Sequence, residues 1–145
     1  MNKSLQPGVR SLAGAYGAGL LALALLDAVW LGLVATDFYR AYIGHLMAEQ
    51  PRFDAAILFY LIYPAGVMWF AVRPAIESAS SAKALQLGAA FGFFVYATYD
   101  LTNLATLRDW SVLVSVVDVA WGTALSACIA WLGLRAALAV VRRGR

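Results

Sequence analysis

The stretch from Ala55 to Val72 contains no charged residue. A chain crossing the ~30 Å hydrocarbon core of a bilayer as a helix needs about 20 predominantly apolar residues. Three more runs approach or exceed that length: Leu12 to Ala35, broken only by Asp27; Ala84 to Leu107, broken only by Asp100; and Val112 to Leu134, broken only by Asp118, with an apolar tail to Val141. None alternates with the period of a strand, and lipid leaves no partner for open backbone groups, so all four read as helices. The expected fold is an all-α membrane protein, a bundle of four transmembrane helices over 12–35, 55–72, 84–107 and 112–134, in a single domain over 1–145. A cleaved signal peptide is the alternative for the first run, since Lys3 and Arg10 precede it. That run is longer than the apolar core of such a peptide.

Composition agrees. Of the 145 residues, 63% are hydrophobic and 13% charged, against about 25% charged in an ordinary soluble domain. The net charge of +3 does not point to nucleic acid, because most basic residues flank the apolar runs. Lys3, Arg10, Arg73, Lys83, Arg135, Arg142, Arg143 and Arg145 fall on one side of the expected membrane, and Arg40, Arg52 and Arg108 on the other. The positive-inside rule then puts both termini in the cytoplasm. The lone Cys128 lies inside the last run with no partner for an intrachain disulfide.

The connection from Thr36 to Phe53 is more than a linker. Phe38, Tyr42, Ile43, Leu46 and Met47 recur at roughly helical spacing, and Pro51 closes the segment. The pattern predicts a short amphipathic helix over about 37–49, lying at the outer surface. Tyr39, Arg40 and Tyr42 suit the headgroup zone. His45, the only histidine, is read as interfacial and exposed, with a ligand or proton-relay role as the alternative.

Asp27, Asp100 and Asp118 gain meaning once the topology is drawn. Counting from the outer ends at about 1.5 Å per residue, all three lie roughly 12–15 Å deep. Tyr60 and Tyr63 of the second span fall near the same level. An ionisable group in a span faces the bundle interior by default. Side chains at i, i+3 and i+4 share a helix face, which groups Tyr96, Asp100 and Asn103, then Asp27 with Trp30, and Asp118 with Trp121 and Gly122. Pro64 frees the carbonyl of residue 60 toward this layer. Gly14, Gly17, Ala18, Gly88, Ala89 and Gly92 favour close helix packing in the inner half.

Two readings of the layer stand side by side. One is a ligand-binding or proton-linked site built from Asp27, Trp30, Tyr60, Tyr63, Tyr96, Asp100, Asn103, Asp118 and Trp121. The other is a hydrogen-bonded clamp holding the helices in register. Three carboxylates exceed what a clamp needs. An oxygen-ligated hard cation is a third option, but no His or Cys joins the layer, so no metal site is assigned. Asp-x-x-Trp occurs in both the first and last spans, a weak hint of internal repetition.

The motifs "LDAVWLG", "FYRAYIG", "LFYLIYPAGVMWFAVRPA", "YATYDLTNLATLRDW" and "VDVAWGT" resemble the family called domain of unknown function 2177, small membrane proteins of bacteria. The resemblance runs from about Leu26 to Thr123. It takes in Asp27, Trp30, Tyr39, Tyr60, Pro74, Tyr96, Tyr99, Asp100, Thr102, Asn103, Asp118 and Trp121, whereas Pro64 is not part of the family's pattern. It implies a multi-pass protein of the bacterial cytoplasmic membrane and supplies no activity, cofactor or substrate. The expected function is a small binding or carrier protein for an amphipathic or cationic ligand. The alternatives are an accessory subunit of a membrane complex or an intramembrane enzyme acting on lipid. The partners expected are the lipid bilayer, a small amphipathic ligand, and a second copy or a larger membrane complex, with no nucleic acid and no cofactor.

Overall fold

The computed structural model describes residues 8–143, and every regular element among them is helical. Lys3 and Arg145, counted above for topology, lie outside the described residues. Helix α1 spans Val9–Val29 and runs on through a π turn at Trp30–Val34. A short helix α2 follows at Thr36–Ile43, then a 3₁₀ turn at Gly44–Leu46. Helix α3 covers Phe53–Val67, passes through a second π turn at Met68–Val72 and continues as α4, Arg73–Ser78. Helices α5, Ser81–Thr106, and α6, Val112–Arg143, complete the chain.

Among the described residues, three helical stretches are long and apolar enough to cross a membrane: Val9–Val34, Phe53–Ser78 and Val112–Arg143. Four were expected. The third expected span falls on α5, which is long enough at 26 residues but less apolar, because Lys83, Gln86, its tyrosines, its threonines and Asp100 dilute it. The second stretch outruns its expected end at Val72. Pro64 is buried inside α3 without ending it, and the departure from α geometry comes a turn later, at Met68–Val72. The helix stops where Ala79 turns left-handed, with φ of 47°.

Small residues set the packing. On α1 the buried positions Ser11, Ala15, Gly19, Leu23 and Asp27 follow one another at four-residue spacing. On α5 Ala84, Gly88 and Gly92 keep the same spacing, and Asp100 lies two such steps further on. Residues four apart share a face, so each stripe turns one side of its helix toward α6, against which α1 and α5 pack most extensively. A methyl group on Gly88 would stand 2.6 Å from the Ser126 carbonyl oxygen and 2.7 Å from Ala130 Cβ. At Gly92 it would meet the Gly122 carbonyl and Ser126 side chain. The apolar core lies along this seam, with Leu23, Val67, Ile76, Leu125, Ile129 and Leu134 fully enclosed. The outside is also apolar: Leu33, Phe53, Ile57, Ile62, Phe70, Phe94, Leu101 and Val116 are all exposed. In a soluble protein so many exposed large apolar side chains would drive aggregation. Against lipid tails they are matched to their solvent.

Candidate functional site

Asp27 and Trp30 sit on one face at the end of α1, where the backbone widens. The Ala35 N–H donates to the Trp30 carbonyl at 2.7 Å, five residues back, and the Thr36 hydroxyl ties to the Leu31 carbonyl. Such a π turn redirects the chain locally and recurs at functional sites. Here it hands α1 over to α2 in a tight corner, which carries Tyr39 back over the bundle. Asp118 and Trp121 take the matching positions on α6.

The two Asp-x-x-Trp motifs interlock. The Trp30 and Trp121 rings stack with centroids 4.3 Å apart and planes 7° from parallel. The Trp30 indole N–H donates to the Tyr39 hydroxyl at 3.1 Å, and that hydroxyl donates to Oδ1 of Asp118. Trp121 and the Tyr60 hydroxyl approach Asp27, though neither closes a hydrogen bond in good geometry. Each tryptophan thus addresses the aspartate of the other helix, Trp30 through Tyr39 and Trp121 directly. Asp27 is 5% exposed.

These groups wall a cleft of about 280 Å³. Asp27, Trp30 and Leu31 come from α1 and its π turn, and Tyr39 and Ile43 from α2. Phe59 comes from α3, Tyr96 and Tyr99 from α5, Trp110 from the turn after α5, and Asp118 and Trp121 from α6. Seven aromatic rings and two carboxylates line it, with no Lys, Arg or His among them. Beside it lies a wholly apolar pocket of about 330 Å³ lined by Phe59, Tyr63, Val95, Tyr96 and Tyr99. Phe59, Tyr96 and Tyr99 line both, so the two spaces adjoin.

Of the nine intramembrane residues named from the sequence, five line the cleft: Asp27, Trp30, Tyr96, Asp118 and Trp121. Tyr60 reaches in toward Asp27 from the edge. Tyr63 is buried and bonded elsewhere: it meets the Ser126 hydroxyl at 2.6 Å, and Ser126 donates to the Gly122 carbonyl at 2.6 Å. That chain couples α3 to α6 inside the core. Asn103 is half-buried, and its side chain makes no hydrogen bond with the described residues. Asp100 does not join the cleft. It ends the small-residue stripe of α5, is 0% exposed, and neither carboxylate oxygen finds a hydrogen-bond partner. Ser115 faces it from α6, but that hydroxyl accepts from the Trp110 indole at 3.0 Å and is turned toward the Ser111 carbonyl. Asp100 instead underlies an outward groove of about 550 Å³ between α5 and α6, with Phe93, Leu101 and Val116 among its walls.

The residues assigned to the headgroup zone divide. Arg40 and His45 are exposed and away from the cleft, whereas Tyr39 points inward and is half-buried. Burial raises its phenol above the ordinary tyrosine range, and the hydrogen bond to Asp118 pushes it further up, partly offset by the Trp30 N–H. Phe59, Tyr99 and Trp110 were missed as cleft residues, although "RDW" carried Trp110 and the family motif carried Tyr99. Nothing in the spacing of Phe59 distinguishes it from a lipid-facing ring. Among the described residues, no three His, Cys, Asp or Glu side chains are gathered so as to hold a metal ion.

Residues 12–135 match the profile of a family of predicted membrane proteins, domain of unknown function 2177. No curated protein and no solved structure matches the chain.

Proposed function

The chain belongs to the domain of unknown function 2177 family of predicted membrane proteins, and from that premise we propose that it is a small binding or carrier protein for a cationic, amphipathic ligand. The carrying observation is the aromatic cleft, which offers two carboxylates, no basic residue and an adjoining apolar pocket. A buried and a half-buried carboxylate, Asp27 and Asp118, facing an open space in a low-dielectric setting favour a cationic guest.

The membrane frame of this reading has four crossings, with α5 as the third, in the bacterial cytoplasmic membrane as one domain. Both termini lie in the cytoplasm, and α2 rests at the outer interface. Two Arg–Trp pairs fit a membrane interface at that end of the helices. Arg73 lies over the Trp69 ring at 4.6 Å and Arg135 over Trp131 at 5.9 Å. Both pairs sit toward the expected inner ends of their helices, where amphipathic rings and snorkelling cations gather. The cleft then opens toward the outer side, beneath α2.

Asp118→Asn is the test. Asparagine keeps the shape and still accepts from Tyr39 through its amide oxygen, while the charge is lost. Alkylammonium binding, read by quenching of tryptophan emission in purified protein, should weaken about tenfold or more. Unchanged affinity in a folded variant refutes the reading. A second reading is favoured by the Trp30–Tyr39–Asp118 chain itself, which ties α1, α2 and α6 together: the layer is a clamp in an accessory subunit. On that reading Asp118→Asn leaves any ligand response untouched and Asp27→Ala lowers the melting temperature in detergent.

A further inference from the structure

The chemistry of the cleft constrains the head group of its ligand, an inference that rests on the binding role proposed above. Asp118 already accepts the Tyr39 hydroxyl. Tyr60 and Trp121 are directed at Asp27, which is nine-tenths buried. The acceptors are therefore partly committed to internal donors. A primary ammonium brings three N–H groups that all need acceptors, and in this cleft it would leave some of them bare. A quaternary ammonium donates no hydrogen bond. It asks only for negative charge nearby and for ring faces to lie against, the arrangement by which aromatic cages hold such heads. Trp30 and Trp121 cover one face of each other in their stack, and both line the space together with Tyr96, Tyr99 and Trp110. The adjoining pocket, with Phe59, Tyr96 and Tyr99 common to both, has no polar lining and suits an alkyl or aryl substituent.

We propose that the Asp27–Asp118 cleft is an aromatic cage for the head of a net-cationic quaternary ammonium amphiphile, whose apolar part occupies the Phe59–Tyr63–Val95 pocket. A phosphocholine lipid shares the head but adds a phosphate. The two carboxylates repel that phosphate, so the site takes the free cation rather than the zwitterionic headgroup.

The test is a titration of the full chain, purified in a non-ionic detergent, read by tryptophan quenching and thermal shift. The probes are dodecyltrimethylammonium, dodecylamine, dodecylphosphocholine and the neutral isostere in which carbon replaces the quaternary nitrogen. Dodecyltrimethylammonium should bind saturably and about tenfold tighter than each of the others. Tyr99→Leu, at a ring 57% exposed whose loss leaves the core intact, should weaken it about fivefold. Equal or tighter binding of dodecylamine overturns the quaternary head but leaves the cation-binding role standing. Equal binding of dodecylphosphocholine overturns the net-cation requirement, and equal binding of the isostere overturns recognition by charge. Saturable binding by none of the probes overturns both this inference and the role beneath it.

Discussion

Tyr39 passes two hydrogen bonds through one oxygen, receiving from Trp30 and giving to Asp118. Tyr39→Phe keeps the ring and removes both. It strands an acceptor in a half-buried place, which costs about 1–3 kcal/mol, and thermal unfolding in detergent should register the loss. The same phenol gives a pH signature. Its folded pKa is raised, first by burial and then by Asp118, so above about pH 10 the folded protein keeps a proton that the unfolded chain releases. Stability should be indifferent to this group below that pH and fall as pH rises beyond it. Subtracting the 295 nm alkaline titration of Tyr39→Phe from that of the parent isolates the shift. A Tyr39 step near pH 10 contradicts the buried geometry. Asp100 behaves oppositely. With neither oxygen partnered by the described residues, its burial is expected to cost stability rather than add to it. Asp100→Leu, with the same branched shape and no polar atom to satisfy, should raise the melting temperature by an amount corresponding to about 1–3 kcal/mol. A lower melting temperature would mean that Asp100 has a partner and belongs to a clamp. The sequence made these two aspartates look alike, equal in depth and each with aromatic neighbours. Depth follows from counting residues along a span, but the facing of a side chain depends on the neighbouring helix. Asp118 faces Tyr39 and Asp100 faces a serine committed elsewhere.

The elements divide along similar lines. The glycine stripe of α5 could be read from the chain, because small residues four apart have few other uses in an apolar helix. Its consequence is sharp. At Gly92 a methyl group would collide with the Gly122 carbonyl and the Ser126 side chain, and backbone cannot swing aside as a flexible side chain can. Gly92→Ala should force α5 off α6 and cost about 1–3 kcal/mol or more, measured as a lower unfolding midpoint with helix content unchanged at low temperature. A neutral outcome would show that the seam is looser than described. The π turns were not legible. One extra residue in a turn leaves no mark on hydrophobic periodicity, and neither Trp30–Val34 nor Met68–Val72 contains a proline or glycine pair to flag it. Yet the first of these turns brings Tyr39 inward, and so it turned a residue assigned to the headgroups into one at the centre of the cleft.

For the chain as a unit, the crossing of α5 turns on how its polar groups are engaged. Hydropathy scales count each hydroxyl as exposed to lipid, and the three threonines of α5 are not free. Thr98 donates to the Phe94 carbonyl at 2.7 Å, Thr102 to the Thr98 carbonyl at 2.6 Å and Thr106 to the Thr102 carbonyl at 2.8 Å. A hydroxyl bonded back to its own helix adds little to the expense of immersion. Asp100 is turned inside, and the outward positions Phe93, Phe94 and Leu101 are apolar. At about 1.5 Å per residue, 26 residues reach roughly 39 Å, beyond the ~30 Å needed. The helix should therefore span, which puts Glu77 and Arg108, at its two flanks and both exposed, on opposite sides. In a Cys128→Ser background, Arg108→Cys and Glu49→Cys should react with a membrane-impermeant maleimide on intact cells, and Glu77→Cys only after permeabilisation. If Glu77→Cys and Arg108→Cys instead label together, α5 does not cross. The cleft between α1, α5 and α6 would then have to be redrawn as one lying at a membrane surface.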